Sequence, residues 1–109
     1  MIVAFDNSNA IQYYISMITS FKCKETKRIF GGRFSKSLPH EIQEIARRKL
    51  RYMNNAVSLN DLRSPPGNHL EQLTADRQGQ YSIMINDQWR ICFMWNNGNC
   101  ADVEIVDYH

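Results

Sequence analysis

The chain has 109 residues, 43% of them aliphatic, aromatic or cysteine and 22% charged. That composition suits one folded domain with a modest core and leaves room for neither a disordered tail nor a second domain. The net charge of +2 conceals a basic segment: residues 22–51 hold ten of the 13 Lys and Arg against three of the 11 acids, +7 locally beside −5 for the rest.

Such a footprint suits a polyanion such as RNA, and equally a solvated helix face. Cys23, Cys92 and Cys100 form no C-x-x-C pair and no zinc spacing, so free, mostly buried thiols and no bound metal are expected. The N-terminus meets Asp6, Asn7, Ser8 and Asn9 at once and has no basic lead, a poor signal peptide. No apolar run approaches the roughly 20 residues that span a bilayer. A cytoplasmic protein without a membrane partner is expected.

In chain order, residues 1–16 show no period and read as an extension of unassigned role ahead of a domain over 17–109. Ile18 to Cys23 predicts a short strand, followed by a helical stretch from Glu25 to Phe30 that Gly31-Gly32 should end. Pro39 then opens a better helix, where Ile42, Ile45, Ala46, Leu50 and Met53 recur at three- and four-residue steps. Its opposite face carries Glu44, Arg47, Arg48 and Arg51, which would present the basic charge outward along one side, toward phosphates. The sequence Ser64-Pro65-Pro66-Gly67-Asn68 predicts a turn, with Gly67 free to take positive φ.

From there the period becomes two. Tyr81, Ile83 and Ile85 alternate with polar or smaller partners, as do Trp89, Ile91, Phe93 and Trp95, and Asn86-Asp87 reads as a tight hairpin turn. Ala101 to Tyr108 supplies a third strand after the Asn96-Asn97-Gly98-Asn99 turn. Helices first and strands afterwards predict an α+β layer, two N-terminal helices packed on one face of a small, mainly antiparallel twisted sheet.

Strand parity locates the candidate chemistry. If Trp89, Ile91, Phe93 and Trp95 face the helices, Arg90 points to the other, open face with Ser82, Met84 and Met94. A guanidinium there offers a fork that fits a phosphate, although an exposed strand arginine by itself is more often solvated. The terminus Asp107-Tyr108-His109 brings a carboxylate, a phenol and an imidazole beside the α-carboxylate, groups able to move protons near neutral pH. In a regular strand Asp107 and His109 fall on the side of Val103 and Ile105, with Tyr108 opposite. No H-E-x-x-H, Gly-rich phosphate loop, G-x-S-x-G elbow or metal-binding carboxylate cluster is present.

From Ile18 to His109 the chain resembles the HigB (plasmid maintenance system killer) branch of the RelE/ParE toxin superfamily. The resemblance is carried by FKCKETKRIF, LPHEIQEIARRKL, DLRSPPGN, QYSIMINDQWRICF and the closing VEIVDYH. It implies a compact RelE-like microdomain that binds the ribosomal A site and cleaves mRNA without a cofactor, by attack of a ribose 2′-OH on the adjacent phosphate. It gives Arg90 the phosphate charge and Asp107, Tyr108 and His109 the acid, base and nucleotide contacts. Arg47, Arg48, Arg51, Lys36 and His69 would bind RNA. It also implies a cognate helix-turn-helix antitoxin of the HigA type, through which alone the pair would reach operator DNA.

Departures from the family pattern matter. Met84 stands where relatives usually carry Arg, on the face of Arg90; His69 replaces a usual Arg; Gln72 and Thr74 fall where basic or small residues are common. A weakened, non-catalytic toxin-like module acting as antitoxin partner and co-repressor is therefore the alternative. A ParE-like action on DNA gyrase is disfavoured by YSIMINDQWRICF and DYH.

Overall fold

The computed structural model describes residues 17–108; the N-terminal extension and His109 lie outside the described residues. Helix α1 spans Lys24–Phe30 and α2 spans His40–Asn55; strands β1 Glu71–Gln72, β2 Gln80–Met84, β3 Trp89–Asn96 and β4 Asn99–Asp107 follow. The strands form one antiparallel sheet in the order β1-β2-β3-β4. This is the α+β layer that the change of period predicts.

Helix α1 ends where the paired glycines place its end. Gly32 takes φ 88°, the Gly32 N–H donates to the Ile29 carbonyl and the Arg33 N–H to that of Arg28, each at 3.0 Å. These two bonds satisfy carbonyls a helix end leaves open, and only a residue without Cβ takes that φ without strain. Pro39 stands as the cap before α2, one residue earlier than a first-turn position. Ile42, Ala46, Leu50 and Met53 are buried as their spacing predicts, whereas Ile45 is only half-buried. Gln43 is buried instead, for a polar reason: its amide donates to the Ser35 and Leu38 carbonyls and accepts from the Ser35 N–H, fastening the loop ahead of the helix.

The helix-facing side of the sheet contributes Ile83, Ile91, Phe93, Val103 and Ile105 to the core, against Ile29, Ile42 and Leu50. The Ile105 N–H donates to the buried Thr26 hydroxyl at 3.0 Å, tying α1 to β4. Burial pushes the Cys100 thiol up to about 12, so it is inert packing at neutral pH.

Several expectations change in detail. Ile18 to Cys23 is no regular strand; it meets β4 in two parallel bridges, Ile18 to Cys100 and Phe21 to Val103. The cause is a bulge in β4, where Asp102 takes φ 52° and the β3 register slips between Cys92 and Met94. The Asp102 N–H turns to the Ser20 hydroxyl at 2.8 Å, so the ladder cannot run on. Gly67 does not take positive φ; His69 does, at 44°. The β2–β3 connection is wider than a two-residue turn, because the Asn86 side chain accepts from the N–H groups of Gln88 and Trp89 and closes the loop itself. By contrast Asn97 and Gly98, at φ 51° and 87°, make the two-residue turn between β3 and β4.

Candidate active site

Arg90 is on the face away from the helices, as parity predicts, directly opposite Met84 on β2 and Val106 on β4. That face is not open, and Arg90 is only 5% exposed. Residues 59–79, three short 3-10 turns with the two-residue β1 between the second and the third, fold back over it. Arg90 Nε donates to Ser82 Oγ at 2.7 Å and Nη2 to the His69 carbonyl at 2.6 Å. Glu71 brings a carboxylate oxygen to 3.6 Å from Nη2, and the Tyr108 ring centroid lies 5.4 Å from the guanidinium carbon. These contacts fix the plane of the guanidinium. Among the described residues Nη1 has no hydrogen-bond partner, so two charged donors remain for an anion.

The end of β4 resolves the parity of the terminal residues. The bulge precedes it, and pairing is regular from Glu104 to Asp107, with Asp107 opposite Trp89. Tyr108 therefore falls on the Arg90 face, while Asp107 falls on the other side, where the Gln88 amide donates to its carboxylate at 3.1 Å. The Tyr108 N–H donates to the Gln88 carbonyl at 2.6 Å, anchoring the residue beside the β2–β3 loop. His109 lies outside the described residues.

Lys49 joins this site from α2. Its Nζ donates to the Met84 carbonyl at 2.5 Å, and burial, then the charges of Arg48 and Arg90, hold its pKa below the usual lysine value. A cation kept near two others by the fold is stabilised by whatever anion arrives. Cys92 shares the face, but burial raises its thiol pKa, which argues against a nucleophile.

The other expected RNA contacts are dispersed. At 100° per residue α2 splits its arginines: Arg47 and Arg51 line clefts toward α1, while Arg48 lies with Lys49 and Tyr52 on the side of the Pro65–Asn68 turn. They do not form one outward stripe. Lys36 is exposed in the loop before α2, away from the site's contacts. His69 is exposed, and it is its backbone carbonyl that meets Arg90.

Sequence reasoning missed Lys49, hidden within a basic run, and Glu71, on a strand too short to show a period. It did place Ser82 on the right face, without its bond to Arg90. A group of three or more His, Cys, Asp or Glu that could hold a metal does not occur among the described residues.

A family model described as the RelE-like toxin of type II toxin-antitoxin system HigB matches residues 19–109. The chain belongs to this HigB-like toxin family. Toxin HigB-1 of Vibrio cholerae serotype O1 is 34% identical over 83 residues, 75% of this chain and 87% of that protein. Endoribonuclease HigB of Proteus vulgaris is 30% identical over 93 residues, 85% of this chain and 100% of that protein. Membership in the HigB-like family makes the chain a toxin of a type II toxin-antitoxin system, with a cognate antitoxin as partner. Among the described residues no helix is long and apolar enough to cross a membrane.

Proposed function

We propose that this HigB-like toxin is a ribosome-dependent mRNA endonuclease that acts in the cytoplasm without a metal. The observation that carries the reading is the Arg90 guanidinium, held flat by Ser82 and His69, with Nη1 left for a phosphate and Lys49 adding charge. The name of the Proteus vulgaris relative, an endoribonuclease, agrees with it. In the reaction a ribose 2′-oxygen bonds to the neighbouring phosphorus as the P–O5′ bond breaks. The 2′-OH proton passes to a base, and the departing 5′-oxygen takes a proton from an acid. Arg90 binds charge that grows on the phosphoryl oxygens. Glu71, exposed and 3.6 Å from Arg90, is the carboxylate at hand to receive the first proton. Tyr108 and His109 supply the acid and nucleotide contacts, and Asp107 steadies the end of the strand through Gln88.

Arg47, Arg48, Arg51, Lys36 and His69, dispersed over the surface, contact RNA phosphates in the ribosomal A site, with Arg48 and His69 on the side of this centre. Residues 17–109 form the toxin domain, and residues 1–16 an extension of unassigned role. The antitoxin is of the HigA helix-turn-helix type and brings the pair to operator DNA. A second reading, a weakened toxin that serves mainly as co-repressor, is favoured by one observation: Met84, without charge, lies directly opposite Arg90.

The test is primer-extension mapping of mRNA in a translating extract, with wild type, Arg90→Ala and a variant lacking His109. Cuts made only by wild type and only during translation are expected. Intact message at high wild-type concentration would replace this reading with the second.

A further inference from the structure

Beside the Arg90 centre is a slot of about 190 Å³ between α2 and the Pro65–Asn68 turn, lined by Ile45, Arg48, Lys49, Tyr52, Pro65 and Asn68. It is smaller than the roughly 300 Å³ and upward of a pocket for a drug-sized ligand, and so suits a single ring system. Tyr52 is 41% exposed, yet its hydroxyl is pinned by donation to the Asp61 carbonyl at 2.9 Å, which fixes the ring. Asn68 is 1% exposed. Its amide nitrogen donates to the Leu62 and Ser64 carbonyls, both at 3.2 Å, and this orients the side chain. The amide oxygen of Asn68 accepts no hydrogen bond among the described residues, an unusual state for a buried polar atom.

Both walls connect the slot to the candidate active site. Lys49 lines it and reaches the Met84 carbonyl opposite Arg90; Asn68 lines it and precedes His69, whose carbonyl accepts from Arg90. Arg48 and Lys49 are its charged groups, and among the described residues no carboxylate lines it. Apolar ring walls, a rim of cations and one unpaired acceptor are the features with which proteins take an unstacked base.

Resting on the nuclease reading above, we propose that this slot receives a nucleobase of the message next to the cut phosphate. The base stacks on Tyr52 against Pro65 and gives an exocyclic amino hydrogen to the Asn68 amide oxygen, while Arg48 meets its phosphate. Adenine, cytosine and guanine carry that amino group; uracil does not.

The test has two arms. In a titration of the isotope-labelled full chain followed by NMR, adenosine 5′-monophosphate should shift the Asn68 side-chain amide and the signals of Lys49 and Arg48. Uridine 5′-monophosphate should shift them less, and ribose 5-phosphate should not move Asn68. Tyr52→Ala should weaken adenosine monophosphate binding roughly tenfold, the scale of a lost base–aromatic stack, and Tyr52→Phe should keep it. Equal shifts from ribose 5-phosphate, or none at Asn68 at millimolar nucleotide, overturn the slot.

In the cleavage assay Tyr52→Ala should level the difference between sites flanked by uracil and by the other bases. A uniform loss at every site assigns the base to the ribosome and overturns the proposal. Wild-type cleavage without nucleotide binding at the slot removes the slot alone. Binding without cleavage removes the nuclease reading alone.

Discussion

On the helix side of the sheet, Ile83, Ile91, Phe93, Val103 and Ile105 pack into helices whose apolar spacing matches them; on the other side, Ser82, Arg90 and Glu104 are covered by turns and paired one polar group at a time. The same strands serve both sides, because successive residues alternate between them. The first side gains its stability from area removed from water and tolerates little change of volume. The second depends on direction: a guanidinium fixed at Nε and Nη2 is aimed, and the aim would be lost with either acceptor. Arg77 repeats the pattern further along, donating to Gln80 and Glu104 at 3.1 Å and closing the polar face where β2 and β4 flank β3.

Two residues of β3 on opposite faces offer the sharpest way to break this contrast. Phe93→Ala should cost about 3–5 kcal/mol of stability in denaturant unfolding, with the activity of the folded fraction unchanged. Arg90→Lys, which keeps the charge but not the fork, should reduce mRNA cleavage about 100-fold or more while the far-UV spectrum stays native. If Phe93→Ala silences folded protein, or Arg90→Lys unfolds it, the division between the faces is wrong.

Met84→Arg should strengthen cleavage roughly fivefold, the effect of about 1 kcal/mol from an added charged contact, and lower the melting temperature because it adds charge beside Lys49 and Arg90. Unchanged or weaker growth arrest on induction would remove Met84 from the account of this face. Ala75→Gly tests the cover itself. Ala75 holds φ 54° in the loop over the polar face, and glycine there should stabilise the chain by about 1 kcal/mol without changing cleavage. A lower melting temperature would contradict this.

The smallest effect concerns pH. The Asp61 carboxylate accepts from the N–H groups of Val57 and Ser58, which lowers its pKa from 3.8. Its contribution is therefore complete above the unfolded value and disappears as pH falls through the folded one. Asp61→Asn should flatten the loss of stability below about pH 4 in acid titrations, and an unaltered acid limb would show these two hydrogen bonds to be idle.

Both helices and the three long strands were legible in the sequence, since burying one face imposes periods of 3.6 and 2. The side on which Arg90 lies was legible for the same reason. Its burial was not. It comes from residues 59–79, whose short turns have no period, and from the carbonyl of His69, an acceptor that every residue type possesses. Lys49 was hidden because charge was counted per segment, and only the phase between Ala46, Leu50 and Met53 tells it from Arg47 and Arg51. Asp107 and Tyr108 took the sides that parity assigns because the bulge at Asp102 comes before them.

The strap of residues 18–21 has a practical consequence. It runs parallel to β4, with Ile18 beside Cys100 and Phe21 beside Val103, so it points toward Tyr108. A label or solubility partner joined ahead of Met17 would start near the Asn97-Gly98 turn, roughly 25 Å along the strand from Tyr108. Tyr108 itself has its ring centroid 5.4 Å from the Arg90 guanidinium carbon, so additions beside it bear on the candidate site. Fusions for purification, display or imaging are therefore expected to disturb the candidate site less at Met17 than beside Tyr108.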